Sequence, residues 1–315
     1  MRAVGVREFG GTPGILDVPV PIPATGEIRV RLEAAGINPF DWKISDGLFR
    51  ETRPHVFPLI LGVDGAGTID AVGANVRRFR VGDRIFGQFL HDPVGRGTYA
   101  EHVVVPEGNA LVTIPAGISS PDAAGIPTAG MAAMDSLDML RLERGNTLLV
   151  VGASGGIGSF AVPLAAAAGI RVLAVARSSA HARLRSIGAS ATIDAESPDA
   201  MPEVLRQTPA GVDALLDMAD ATPAFVRWAG AVRPGGAAVS TTYAASDIAG
   251  LRTMNLDLQP RAELLERLGR AIAAGSLHVP VERIISLAEV PPVVAEGRAG
   301  RFSGKTVIRL AGRET

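Results

Sequence analysis

The sequence contains no cysteine. That absence excludes disulfides, thiolate zinc sites and a cysteine nucleophile together. It also lacks a long apolar run. The longest, Phe160–Ala168, is interrupted by Pro163 and falls far short of the roughly 20 residues a membrane-spanning helix needs. Charge of one sign is missing as well: Lys and Arg number 31, Asp and Glu 32, and the formal net charge is −1. Such a balance gives no broad field for nucleic acid or an anionic membrane. Met1–Gly10 carries two arginines and a glutamate but no apolar core, so it does not read as a secretory signal. The five histidines, His55, His91, His102, His181 and His278, are scattered without ligand spacing. A catalytic zinc needs about three protein ligands, and no such set is visible. The expectation is a cytoplasmic protein with no metal, no nucleic-acid partner and no membrane partner.

What is present is a globular composition. Hydrophobic residues make up 47% and charged residues 20% of 315 positions, enough for a sizeable core and, by length, about two domains. The first 120 residues are rich in Gly, Pro and short β-type runs such as Ile28–Ala34, Gly67–Val72 and Tyr99–Val105, with little helical period. The texture changes near Ser120. A helix is expected over Asp122–Leu140, started by Ser119 or Ser120 before Pro121. Strands Thr147–Val151, Arg171–Ala176, Ala191–Asp194, Asp213–Met218 and Ala237–Ser240 then alternate with helical segments. That alternation implies a parallel sheet covered on both faces. After one further helix, Arg261–Ala274, strand-like pieces return at Arg283–Leu287 and Thr306–Leu310, so the tail is expected to rejoin the first domain.

The segment Thr147–Gly158 runs from a buried strand into a turn that opens a helix. Its spacing, Ala153-x-Gly155-x-x-Gly158, is the dinucleotide fingerprint with Ala in the first glycine position. Gly155 lets backbone approach a pyrophosphate, Gly158 lets the helix pack on its strand, and the first helical N–H groups face the phosphates. The candidate contacts here are Ala153, Ser154, Gly155, Gly156, Ile157 and Gly158. The end of the next strand selects the nucleotide. An NAD site normally places Asp or Glu there for the ribose hydroxyls. This chain has Ala174-Val-Ala-Arg177-Ser178, without a carboxylate. Arg177 with Ser178 suits a 2′-phosphate, and His181 and Arg183 extend the same cradle. NADPH is therefore the expected cofactor.

Three stretches of the first half carry a resemblance: Ala35–Gly47, Leu61–Thr68 and Val81–Gly87. With the glycine turn and the ending Gly304-Lys-Thr-Val-Ile308, the chain resembles the medium-chain dehydrogenase/reductase superfamily, in its zinc-independent quinone oxidoreductase and enone reductase branch. The resemblance implies an α/β protein. It would have a GroES-like β-rich catalytic domain (residues 1–121 and 255–315) and a Rossmann doubly wound parallel sheet for NADPH (residues 122–254). The active site would lie in the cleft, and a homodimer would form through the Rossmann sheet edge. Zinc-dependent relatives place a cysteine near Asn38 and a His-Glu pair where Val63-Asp64 stand here.

Hydride addition to an enone or quinone builds negative charge on oxygen, which needs a donor aimed at that place. The resemblance points to Lys43 as oxyanion stabiliser or as orienter of the nicotinamide ribose, with Asn38 as a catalytic and carboxamide contact. It adds Thr128, Met218, Ala219, Thr241, Thr242 and Lys305 as cofactor contacts. The family usually has Thr where Ala132 stands, and Thr128 offers the neighbouring hydroxyl. Asp41 and Asp64 are expected to cap turns or pair with Lys43. Trp42, Phe49, Phe57 and Phe89 either line the cleft for a flat carbonyl compound, a quinone or an enone, or serve as ordinary core packing. The alternative reading is a non-catalytic NADPH-binding sensor or structural protein.

Overall fold

The computed structural model describes residues 1–299, 301 and 304–310. Residues 311–315, which the expected first domain includes, lie outside the described residues. The chain divides into two compact units, one of residues 1–128 with 260–315 and one of residues 129–259.

The first unit opens with β1 (Arg2–Val6), β2 (Gly14–Asp17) and β3 (Glu27–Gly36), followed by α1 (Pro39–Ser45). It continues with β4 (His55–Ile60), β5 (Asp64–Val72), β6 (Arg84–Gln88), β7 (Val94–Arg96), β8 (His102–Pro106), β9 (Leu111–Thr113) and α2 (Ser120–Gly125). The expected helix over 122–140 is instead two, because α2 ends at Gly125 and Pro127 begins α3 (Pro127–Leu140). Proline suits the first turn of a helix, where its missing N–H has no partner to lose. Helix α1 lies in the stretch read as all β. Its seven residues are too short to show a period, and it starts because Pro39 fixes φ and the Asp41 side chain accepts from the Asn38 N–H at 2.7 Å.

The second unit is β10 (Thr147–Val151), α4 (Gly158–Ala167), β11 (Arg171–Ala176), α5 (His181–Ser186), β12 (Ala191–Asp194), α6 (Ala200–Gln207), β13 (Val212–Asp217), α7 (Thr222–Ala229), β14 (Val232–Ser240) and β15 (Arg252–Asn255). The chain then returns to the first unit with α8 (Ala262–Ala273), β16 (Val281–Ser286), α9 (Val290–Arg298) and β17 (Lys305–Arg309).

The six strands of the second unit pair in the order β12-β11-β10-β13-β14-β15, every pair parallel. Numbered within the unit this is 3-2-1-4-5-6, the order of the Rossmann sheet. Its strands are apolar on both faces because helices cover both; Leu149, Leu173, Leu215, Phe225 and Trp228 belong to one buried cluster.

In the first unit, one sheet runs β2-β1-β4-β7 and the other β16-β17-β3-β5-β6-β9, with β8 added on β3. The long β3 is the hub. It alternates buried and part-exposed residues, as expected of a strand with one covered face. One register matters below. Gly36, at the end of β3, stands opposite Asp64 of β5 on one side and Val307 of β17 on the other. The C-terminal strand therefore delivers Lys305 next to Ile37 and Asn38, and the Ile37 N–H donates to the Thr306 carbonyl at 2.9 Å.

Candidate functional site

In the second unit, β10 passes into the glycine turn. Ala153 and Gly158 are buried while Ser154, Gly155, Gly156 and Ile157 stay half-exposed. A Cβ built on Gly155 would meet nothing closer than the Gly152 carbonyl at 3.4 Å, so the missing side chain leaves open space. A Cβ on Gly158 would lie 2.4 Å from the Ala153 carbonyl oxygen. One glycine keeps a surface clear and the other permits close packing. Helix α4 starts at Gly158 with no side chain capping its first N–H groups. A helix start without a side-chain cap, beside a clear glycine surface, fits a pyrophosphate.

The expected second-strand groups cluster nearby, each in a different way. Arg177 and Ser178 are exposed just past β11, where neither residue is a carboxylate. Arg183 reaches back to the turn, donating to the Ser154 carbonyl at 3.0 Å and the Ser159 hydroxyl at 3.1 Å, so it braces the loop. One ring nitrogen of His181 lies 3.1 Å from the Ala176 carbonyl. Met218 and Ala219 follow β13, where Asp217 accepts from the Ala219 N–H. Thr241 and Thr242 follow β14; the Thr241 N–H donates to the Asp217 carbonyl and the Thr242 hydroxyl to that of Asp220.

In the first unit the structure assembles a buried polar cluster. Asp64 is fully buried. Its carboxylate accepts from the Asn38 Nδ2 at 2.9 Å, the Thr128 N–H at 3.0 Å and the Thr128 hydroxyl at 2.7 Å. Lys305, 1% exposed, donates to the Asn38 Oδ1 at 2.7 Å and the Ile37 carbonyl at 3.2 Å, and its Nζ lies 3.7 Å from Asp64. Gln88 donates to the Thr128 hydroxyl at 2.9 Å. Asp41, also buried, accepts from the Asn38 and Val63 N–H groups and from the Tyr99 hydroxyl at 2.6 Å.

Several expectations are corrected here. The cation of Asp64 is Lys305, not Lys43. Lys43 lies exposed on α1 and makes no ion pair among the described residues. Lys305, expected among the cofactor contacts, is buried with its ammonium on Asn38, Ile37 and Asp64. Asn38 is itself 5% exposed, and Thr128 is half-buried. Trp42 and Phe89 are core residues, and the chain has no room for a side chain at Gly297, where the Trp42 ring packs. Phe57 is exposed, and half-buried Phe40, Phe49 and Leu90 lie on the cluster of Ile44, Val63 and Val94. Among the described residues no three His, Cys, Asp or Glu side chains could hold a metal ion.

Two carboxylates share one ammonium in this interior, so full ionisation leaves an excess negative charge. Burial pushes the Asp41 carboxyl up to about 7, helped by the charge of Asp64 and opposed by the Tyr99 hydrogen bond. Burial also raises Asp64 and lowers Lys305, each countered by the other's charge. A carboxyl held protonated in the fold binds its proton more tightly there than in the unfolded chain. Stability then falls as pH rises from about 4, the unfolded value, to about 7. Asp41→Asn is expected to remove this slope, at most one proton's worth or roughly 1 kcal/mol per pH unit. Urea unfolding across that range checks it; equal slopes in both proteins would place the proton elsewhere.

Comparison with known proteins follows the same division. Residues 24–116 match the alcohol dehydrogenase GroES-like domain, and residues 156–264 match the family described as zinc-binding dehydrogenase. A chloroplast envelope quinone oxidoreductase homolog of Arabidopsis thaliana is 30% identical over 98% of this chain and 98% of its own length. The solved quinone oxidoreductase of Pseudomonas syringae pv. Tomato DC3000 is 26% identical with a TM-score of 0.85, covering 98% of this chain and 99% of that one. A solved NAD-dependent alcohol dehydrogenase is 29% identical with a TM-score of 0.87, covering 99% of this chain and 100% of that one. No described helix is long and apolar enough to cross a membrane. The chain, a GroES-like unit joined to a Rossmann unit, is an oxidoreductase of the medium-chain dehydrogenase/reductase superfamily and belongs to its quinone oxidoreductase branch.

Proposed function

We propose that the protein is an NADPH-dependent, metal-independent reductase of a quinone or an α,β-unsaturated carbonyl. The observation that carries the cofactor choice is the carboxylate-free end of β11, where exposed Arg177 and Ser178 stand in place of the usual ribose-binding acid. The clear surface at Gly155 and the uncapped start of α4 support a pyrophosphate next to it. Bound NADPH supplies the hydride. The glycine turn and Arg177 hold its phosphates, with Ser154, Gly156 and Ile157 around them. Met218, Ala219, Thr241 and Thr242 lie at the carboxyl ends of strands, where ligands of such sheets bind.

For the acceptor, the first unit offers apolar Phe40, Phe49 and Leu90 and the polar Asn38 and Thr128. Lys43 keeps an exposed ammonium for the oxygen on which charge builds. The relatives named quinone oxidoreductases support the acceptor class. Turnover is tested by NADPH consumption with a panel of quinones and enones. Tight NADPH binding without consumption would instead favour the non-catalytic binder. A homodimer through the β15 edge completes the proposal, and sedimentation measures it.

Arg177→Ala tests the nucleotide choice. A charge-assisted hydrogen bond to a phosphate contributes about 1.5–3 kcal/mol, so the KM for NADPH is expected to rise about 10-fold or more while that for NADH holds. Steady-state kinetics with both cofactors decide it. An equal rise for both would move the 2′-phosphate away from Arg177.

A further inference from the structure

Helix α8 packs on the first unit at Gly269, where an added Cβ would come within 3.2 Å of the Pro115 ring. Beside that contact a groove of about 490 Å³ lies between α8 and the strand β9, lined entirely by residues of the first unit. Its volume falls within the roughly 300–1,000 Å³ of small-molecule sites. Leu265, Gly269 and Ala273 recur every fourth residue along α8 and so form one wall, whose small residues leave the space open. Phe79 and Leu111 add apolar surface. The charges at the edge are unequal. Arg270 has Glu266 one turn away on α8, at 3.8 Å. Arg78 has no such carboxylate. Its guanidinium donates to the Glu107 and Leu111 carbonyl oxygens, lies 4.9 Å over the Phe79 ring, and makes no ion pair among the described residues. The Glu107 carboxylate accepts instead from the main-chain N–H groups of Arg77 and Arg78. A guanidinium carries more N–H groups than these two carbonyls occupy, so donors remain for an anion.

We propose that this groove is a binding site for an amphipathic carboxylate, a medium-chain fatty acid, whose head pairs with Arg78 and whose chain lies along the wall of Leu265, Gly269 and Ala273. Two main-chain carbonyls already fix the guanidinium, so little of its freedom is left to lose when an anion arrives. Arg270, loosely paired and exposed, adds a second positive charge at the same edge. The apolar chain contributes the rest by displacing water from the wall. A neutral ligand would leave Arg78 without an anion, and a short one would leave the wall wet. None of the groove residues belongs to the glycine turn or to the cluster around Asp64, so binding here needs no nucleotide.

The test is calorimetric titration of the whole protein with octanoate, octan-1-ol and acetate at one ionic strength. Octanoate is expected to bind about 10-fold more tightly than octanol, the worth of a charge-assisted hydrogen bond, and more tightly again than acetate, which lacks the chain. Ala273→Trp turns a large ring into the groove from an exposed position of α8. That protein is expected to melt like the wild type and to bind octanoate about 10-fold more weakly or worse. Arg78→Gln keeps an amide donor for the carbonyls but no charge, and the octanoate-to-octanol preference is expected to fall to about 1. Octanol bound by the wild type as tightly as octanoate would make the groove a plain apolar surface and overturn the proposal. An octanoate preference that persists in Arg78→Gln, an octanoate affinity unchanged in Ala273→Trp, or no octanoate binding at all would overturn it as well. Should Arg78→Gln fail to fold, because Arg78 also braces Glu107 and Leu111, the wild-type preference and Ala273→Trp decide.

Discussion

Gly158→Ala is expected to destabilise the second unit by about 1–3 kcal/mol, whereas Gly155→Ala should melt like the wild type and yet bind NADPH at least 10-fold more weakly. The two glycines lie three residues apart in one turn and neither has a positive φ, so backbone strain does not separate them. Space does. A Cβ at Gly158 would stand 2.4 Å from the Ala153 carbonyl oxygen and 2.7 Å from its Cα. Those are backbone atoms at the junction of β10 and α4, and they cannot swing aside as a flexible side chain would. To admit the methyl, the helix must move off its strand and loosen a core that is otherwise close-packed. At Gly155 the added Cβ makes only ordinary contact with the Gly152 carbonyl and projects into the open surface. Folding is indifferent to it. A pyrophosphate drawn in toward the α4 N-terminus is not, because the methyl occupies its approach. Thermal melting and a fluorescence titration with NADPH distinguish the two. Unchanged NADPH affinity in Gly155→Ala would remove the pyrophosphate from this turn.

The second unit was the more legible in the sequence, for a physical reason. Strands buried on both faces must be continuous apolar runs bounded by turns, so Thr147–Val151 and Arg171–Ala176 are found with the limits expected. The edge strand β15 escaped because Arg252–Asn255, only part-buried, has no such run. In the first unit, α1 depends on Pro39 and a carboxylate cap and not on periodicity. The buried cluster was missed for another reason. Lys305 and Asp64 are 241 positions apart (305 − 64), and only the β17-β3-β5 register joins them. One signal was present. Lys305 opens the otherwise apolar strand Lys-Thr-Val-Ile308, and Asp64 opens Asp-Gly-Ala-Gly67. A charge in a strand that must be buried requires a partner of opposite sign. That rule asks for the pair without saying which residues form it, and Lys43, closer in sequence to both aspartates, was the natural but mistaken choice.

Lys305→Met is expected to cost the first unit about 3–5 kcal/mol at neutral pH, a large share of a typical stability of about 5–15 kcal/mol. Methionine fills nearly the same volume, so the loss is electrostatic and not a cavity. The variant leaves Asp64 buried beside Asp41 with no cation, and it strips the Asn38 oxygen of its donor. Removing one partner of a buried pair is far more costly than removing both, since the remaining charge keeps its desolvation penalty. The pH dependence follows with a fixed sign. Burial already raises the Asp64 carboxyl, and losing Lys305 raises it further, so the folded variant holds its proton at higher pH than the unfolded chain does. Its deficit should therefore shrink as pH falls and Asp64 becomes neutral. Asp64→Asn, which is neutral at every pH, should suppress most of the deficit. The two tryptophans, Trp42 and Trp228, lie one in each unit. In a Trp228→Phe background, Trp42 fluorescence reports urea unfolding of the first unit alone. A Lys305→Met protein as stable as its parent at neutral pH would mean that water or a shifted proton, and not Lys305, balances the charge of Asp64.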